Sequence, residues 1–331
     1  RRPSFVILFE GSAFMKTGLC RLLGVGLAAI TLQLIAGAGA SATTIDKSFS
    51  VKPGGTLTVD ADIGSIDVRI GGDTAVQAHV TTSGPRSDDV SVTFSPFGDN
   101  LTIRCRYSRS WLGLFGQSPR VRFEVTVPHR YNVDLKTSGG SISVGDLDGR
   151  VHSRTSGGGI SLGAIHGTVQ GHTSGGSIGI KSCSGSAELG TSGGSINVGE
   201  ADGETRLRTS GGSITVERSR GRLDAHTSGG GIHIGEAMAA VDASTSGGGI
   251  DAFFSKQPRG SSRLSTSGGG VTVVLVEGLA FDVSARGNGV HCDFDLRGGS
   301  SSRHALSGQL NGGGPSLELR TSGGSASIRR R

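Results

Sequence analysis

The tetrapeptide Thr-Ser-Gly-Gly begins at Thr137, Thr155, Thr173, Thr191, Thr209, Thr227 and Thr245, each copy 18 residues after the last, and returns at Thr266 and Thr321. A fixed short period of this kind means stacked repeats, because each unit is too small to bury an apolar face alone. Inside the 18-mer runs a half-period. Nine residues after the second Gly of a motif stands another Gly, at Gly149, Gly167, Gly185, Gly203 and Gly221, with Ala239 the exception. Aliphatic residues follow both glycines two places on, as in Ile142 and Val151, Ile160 and Val169, and Ile214 and Leu223. Each unit therefore reads as turn, strand, turn, strand, with glycine at the corners expected to supply φ > 0.

Alternation with period two assigns the faces. Ile160 and Leu162, Ile178 and Ile180, Ile196 and Val198, and Ile214 and Val216 share one side after the turn; Val151-Ser153-Thr155 and Leu223-Ala225-Thr227 share one side before it. The motif Thr thus falls at the inner edge, and His152, Arg154, Gln170, His172, Arg206, Arg208, Asp224 and His226 face water. Coils about 4.8 Å apart pair each backbone with the next. The expected fold is all-β, a two-sheet β-solenoid with 18-residue coils of two short strands and irregular capping coils at both ends. A hexapeptide left-handed helix would repeat its aliphatic residue every six positions, and calcium-binding nonapeptides need Asp where Ser143, Ser161, Gly179, Asn197, Thr215 or His233 stands, so both are excluded.

Such a thin rod accounts for the composition. Glycine is 59 of 331 residues, more than twice the average share of roughly 7%, while aromatics are 5% and charged residues 18%. Collagen, which needs Gly at every third position, does not fit, nor does a highly charged disordered chain. Residues 1–14 are expected to be an upstream mis-start and 15–42 a signal peptide, with Lys16 and Arg21, the apolar run Leu22 to Ile35, and Ala40-Ser41-Ala42 as cleavage site. Removing four basic residues and one acidic residue from the 33 and 27 of the chain leaves 29 and 26, a net +3, which gives no reason to expect nucleic acid. Cys105, Cys183 and Cys292 then remain, at spacings that suit neither a zinc site nor a disulfide framework; one disulfide with a free thiol stays open.

The regular array spans 136–254, preceded by an irregular β region over 43–135 and followed by irregular coils over 255–331. Ile63-Gly64-Ser65-Ile66-Asp67-Val68 is a degenerate copy of the repeat, so the first region reads as early coils of the same solenoid. The closing Arg329-Arg330-Arg331 reads as a solvated, fraying tail.

Ser48-Phe49-Ser50-Val51-x-Pro53-Gly54-Gly55-x-Leu57, then Val127-Pro128 leading to Tyr131-x-Val133-x-Leu135-x-Thr137-Ser138-Gly139-Gly140, and finally Leu317-x-Leu319-x-Thr321-Ser322-Gly323-Gly324 resemble the bacterial adhesin-like family of β-strand-repeat secreted proteins (DUF4097-type). The resemblance covers roughly residues 45–331. It implies a β-solenoid associated with the cell envelope and carries over no catalytic residues.

For chemistry the sequence offers little. Short turns leave no wall for a cleft, and His172 and His226 share a column but stand three coils, roughly 14 Å, apart; solvated histidines, with no metal and no cofactor, are the expectation. Arg154, Arg206 and Arg208 are candidates for contact with an anionic glycan or lipid, although Glu188, Asp224 and Asp242 break their stripe and favour a mixed, solvated face. Trp111, Leu112, Leu114 and Phe115 form either an exposed tip for a membrane or partner or, as favoured here, a capping plug. The expected function is a non-enzymatic, exported β-solenoid of the periplasm, cell envelope or exterior, an adhesin-like binding or scaffold module for an envelope glycan, lipid or protein surface, of open oligomeric state. Two rivals are a carbohydrate-active enzyme of lyase or hydrolase type, with a site near Ser255–Ser262, and an ice-binding protein using ranked Thr hydroxyls.

Overall fold

The computed structural model describes residues 42–108 and 118–331. These form two sheets of 14 and 15 strands that face each other across one continuous apolar layer. Strands after the motif turn, such as Ile160–Ile165, Ile178–Cys183 and Ile196–Ala201, build the 14-stranded sheet, and strands before it, such as Val151–Arg154, Val169–His172 and Ala187–Gly190, build the other. The pairing is parallel and in register, so Ile160, Ile178, Ile196, Ile214, Ile232 and Ile250 form one unbroken inner column. Each is 2% exposed or less, a burial worth about 1.5–3 kcal/mol per side chain. The fold class read from the repeat is the one observed.

The motif threonines lie inside, none more than 7% exposed. Their hydroxyls form a ladder. Thr155 Oγ1 donates to the Gly140 carbonyl at 2.8 Å, Thr173 to Gly158 at 2.7 Å, Thr209 to Gly194 at 2.8 Å and Thr227 to Gly212 at 2.7 Å. Each bond ties one coil to the second motif glycine of the coil below it.

The reason for glycine at these corners differs from the one expected. Among the described residues, positive φ occurs at glycines such as Gly54, Gly64 and Gly278 and at one half-period corner, Gly149, but at no motif glycine of the array and at none of Gly167, Gly185, Gly203 and Gly221. What excludes a side chain is the stacking itself. A Cβ on Gly158 would press on the Gly140 carbonyl and come 2.5 Å from the Ser141 nitrogen, and the same conflict recurs at Gly176, Gly194, Gly212 and Gly230.

Both ends break the match between chain order and stack order. Thr56–Ala61 and Ser65–Gly71 lie directly against Asn132–Thr137 and Ile142–Val144, with Ile66 beside Ile142 and Val68 beside Val144. Asn100–Tyr107 and Arg120–Pro128, later in sequence, lie outside them. The degenerate repeat is therefore a true coil, down to Thr137 Oγ1, which donates to Gly64 O at 2.7 Å. At the other end Ser316–Thr321 and Ser325–Arg330 slot against Ser262–Thr266 and Val271–Leu275, while Phe281–Arg286 and Gly289–Cys292 stack beyond. Antiparallel strands close each end: Val90–Phe97 with Thr43–Ser50 and Ala75–Ser83 at one, Ala305–Leu310 with Arg297–Ser301 at the other. They cover the parallel edges of both sheets at the first end and of the 15-stranded sheet at the second, where the 14-stranded sheet ends on Gly289–Cys292, with Val290 N donating to Arg303 O at 3.0 Å.

The terminal arginines are not a fraying tail. Arg329 and Arg330 pair with Val274 and Leu275 in an inner strand. The Arg330 guanidinium lies 5.1 Å from the Phe294 ring, and that of Arg331 4.4 Å from the Phe253 ring.

Cys105, Cys183 and Cys292 are free thiols. Burial pushes Cys105 up to about 11 and also raises Cys183 and Cys292. At pH 8 the thiolate, which is the reactive form, is scarce. Residues 43–331 should therefore release little chromophore from an aromatic disulfide reagent when native, and react at all three thiols once unfolded in urea. Rapid reaction of Cys105 in the native protein would contradict this placement.

Candidate functional site

The outer face of the 15-stranded sheet carries two columns of side chains, set by alternation along strands only four to six residues long. The first runs Asp134, His152, Gln170, Glu188, Arg206, Asp224, Asp242 and the second Lys136, Arg154, His172, Gly190, Arg208, His226, Ser244. The acidic residues expected to break the arginine stripe all stand in the first column. From Lys136 to His226 the second holds no carboxylate.

One position in the second column has no side chain. At Gly190 the row from Arg154 to Arg208 opens into a shallow pocket of about 320 Å³, lined by His152, Arg154, His172, Glu188, Arg206 and Arg208 among others. The His172 ring leans into the gap, so that a Cβ on Gly190 would lie 2.9 Å from His172 Nδ1. The volume is at the small end for ligand pockets, enough for a sugar acid or a headgroup.

The charges around it divide by partner. Arg206 pairs with Glu204 at 2.6 Å and His152 with Asp134 at 3.0 Å. Arg154 and Arg208, both exposed, make no ion pair among the described residues. On the opposite sheet Arg218 and Arg220 are neutralised: Arg218 lies between Glu200 and Glu236 at 2.7 Å from each, which raises its affinity for its proton, and Arg220 pairs with Glu200 and Asp202. A pair of free guanidinium groups flanking an imidazole can take a carboxylate, sulfate or phosphate, since the planar fork offers two parallel donors.

Of the residues singled out from sequence, Arg154, Arg206 and Arg208 are brought to one pocket. Trp111, Leu112, Leu114 and Phe115 lie outside the described residues, as do the segment 1–14 and nearly all of 15–42. The sequence reading places His152 and His172 on the wet face as solvated histidines and does not join them to the arginines or single out the gap at Gly190, although the 18-residue period shows it: written under one another, the repeats have Gly190 interrupting a basic column.

The other two readings fare differently. Ranked hydroxyls for ice would have to face water, and the motif threonines are buried with their hydroxyls bonded inward. The Ser255–Ser262 segment is held down by Gln257, whose side chain donates to Ala280 O at 2.9 Å and accepts from Ala280 N at 2.8 Å. No helix among the described residues is long and apolar enough to cross a membrane.

The family model Toastrack DUF4097 matches residues 56–328. No curated protein matches the chain. Among solved structures, a candidate adhesin from Bacteroides fragilis is 13% identical, with 89% of this chain and 100% of that one covered and a TM-score of 0.35. A candidate cell adhesion protein from Clostridium sporogenes is 10% identical over 87% and 100%, with a TM-score of 0.22. A candidate lipid binding protein from Parabacteroides distasonis is 13% identical over 90% and 99%, with a TM-score of 0.24.

Proposed function

The chain belongs to the Toastrack DUF4097 family, and on that premise we propose that it is a non-enzymatic binding module of the bacterial envelope or exterior that holds an anionic group on the outer face of its 15-stranded sheet. The observation that carries the reading is the pair Arg154 and Arg208, which stand on either side of the gap at Gly190 with no ion pair among the described residues. The group is a carboxylate, sulfate or phosphate, presented by a glycan or by a lipid headgroup. A rod of parallel coils suits such a ligand because it offers the same outward positions again every 4.8 Å or so, and a polymer can meet several of them at once.

The test is to measure residues 43–331 on an acidic-glycan array and on vesicles with and without anionic lipid. We expect binding in one of the two that weakens with salt and falls at least about tenfold in the Arg154→Glu, Arg208→Glu double variant, the equivalent of about 1.4 kcal/mol. Unchanged binding in that variant would dismiss this face. Cleavage of a glycan by the protein would favour the carbohydrate-active enzyme.

A further inference from the structure

On the two coils next to the one that carries Arg206 and Arg208, the sequences Leu223-Asp224-Ala225-His226 and Val241-Asp242-Ala243-Ser244 lie side by side in register. Leu223, Ala225, Val241 and Ala243 turn inward, which leaves Asp224 beside Asp242 and His226 beside Ser244 on the outer face. One oxygen from each aspartate and a nitrogen of His226 lie within 4.8 Å of one another. His226 Nδ1 is 2.6 Å from Ser244 Oγ, and Nε2 is 3.4 Å from Asp224 Oδ1. Ser244 thus occupies the far nitrogen and leaves the near one directed at the carboxylates. That is how an imidazole ligand is oriented from behind in metal sites.

Directly opposed like charges disfavour a sheet, and Asp224 is only 20% exposed. The arginines on either side do not relieve them. Arg206 is paired with Glu204 at 2.6 Å and Arg263 with Glu318 at 2.9 Å, and among the described residues neither aspartate has a Lys or Arg ion pair. A half-buried pair of carboxylates whose in-register arginines, Arg206 and Arg263, are paired elsewhere, completed by an oriented imidazole, is a ligand set for a cation, with Arg208, next to His226, the one unpaired cation beside it among the described residues.

We propose that Asp224, Asp242 and His226 bind one divalent transition-metal ion of the zinc class, with Ser244 positioning His226 and the fourth place open to water. Mixed carboxylate and imidazole ligands suit Zn²⁺. Ca²⁺ requires six to eight oxygens, more than this set supplies. The site is independent of the anion-binding reading.

Zn²⁺ titrated against a chromophoric chelator, with chelator-treated protein of residues 43–331, tests it. The expected result is one Zn²⁺ per chain, weakened at least tenfold by His226→Gln and by Asp242→Asn, and by about 10- to 100-fold by Ser244→Ala. His291→Gln, which removes a separate His–Asp pair of 2.7 Å, should leave the affinity unchanged. Asp242→Asn alters one outward polar group and removes a repulsion, so the metal-free melting temperature should not fall, while the rise on adding Zn²⁺ disappears. Absence of Zn²⁺ binding, or equal affinity in all four variants, would overturn the assignment.

Discussion

Replacing Gly212 by Ala is expected to destabilise the rod by about 3 kcal/mol, the upper part of the range for overpacking, while Gly139→Ala changes stability by less than about 1 kcal/mol. Both are motif glycines, and neither has positive φ. They differ in what a methyl group meets. At Gly212 the new Cβ would press on the Gly194 carbonyl and lie 2.6 Å from the Ser195 nitrogen, whereas at Gly139 it would find nothing within 4 Å. Backbone cannot rotate aside as a side chain can, so the coils at Gly212 must separate and weaken their shared hydrogen bonds. Urea unfolding of the two variants checks the difference. Amide exchange should localise the damage to the coils on either side, since each repeat contacts only its neighbours. Equal losses at the two positions would reject close stacking as the reason for glycine.

The second large effect is expected at Thr209. Its hydroxyl is buried, donates to Gly194 O at 2.8 Å and accepts from Gly212 N at 3.4 Å. Thr209→Val keeps the volume and removes the donor, leaving a buried carbonyl with one bond fewer, at a cost of about 2 kcal/mol. Thr209→Ser keeps the donor and loses one methyl, worth about 0.8 kcal/mol. The order of stability by urea unfolding should be Thr, then Ser, then Val. If Val matched Thr, the corner would be held by apolar packing alone and the ladder of hydroxyls would contribute nothing.

The array was legible because 18 residues return the chain to the same point on the stack, so that sequence spacing and spatial neighbourhood coincide from Thr137 to Thr245. At the ends they part. Thr266 and Thr321 are 55 residues apart in sequence and adjacent in the sheet, and only tertiary pairing decides that Phe281–Arg286 lies outside and not between them. The period places the glycines, but for the motif glycines the reason lies outside a dihedral argument, which considers one residue, because a stacking conflict needs the coil below. At the candidate site Arg154, Arg206 and Arg208 could be read from alternation. The gap at Gly190 is legible in the aligned repeats too, but the pocket is not, because its shape depends on the His172 ring that leans over the gap.

The separation of the end strands from the regular coils has an evolutionary consequence. Because the end strands contact only the outermost coils, whole 18-residue units can be duplicated or deleted between Thr137 and Thr245 without disturbing either closure. Each such event lengthens or shortens the rod by about 4.8 Å and adds or removes one position in each outward column. Reach and the number of contact points can therefore change together through in-frame recombination, with no new packing to be selected.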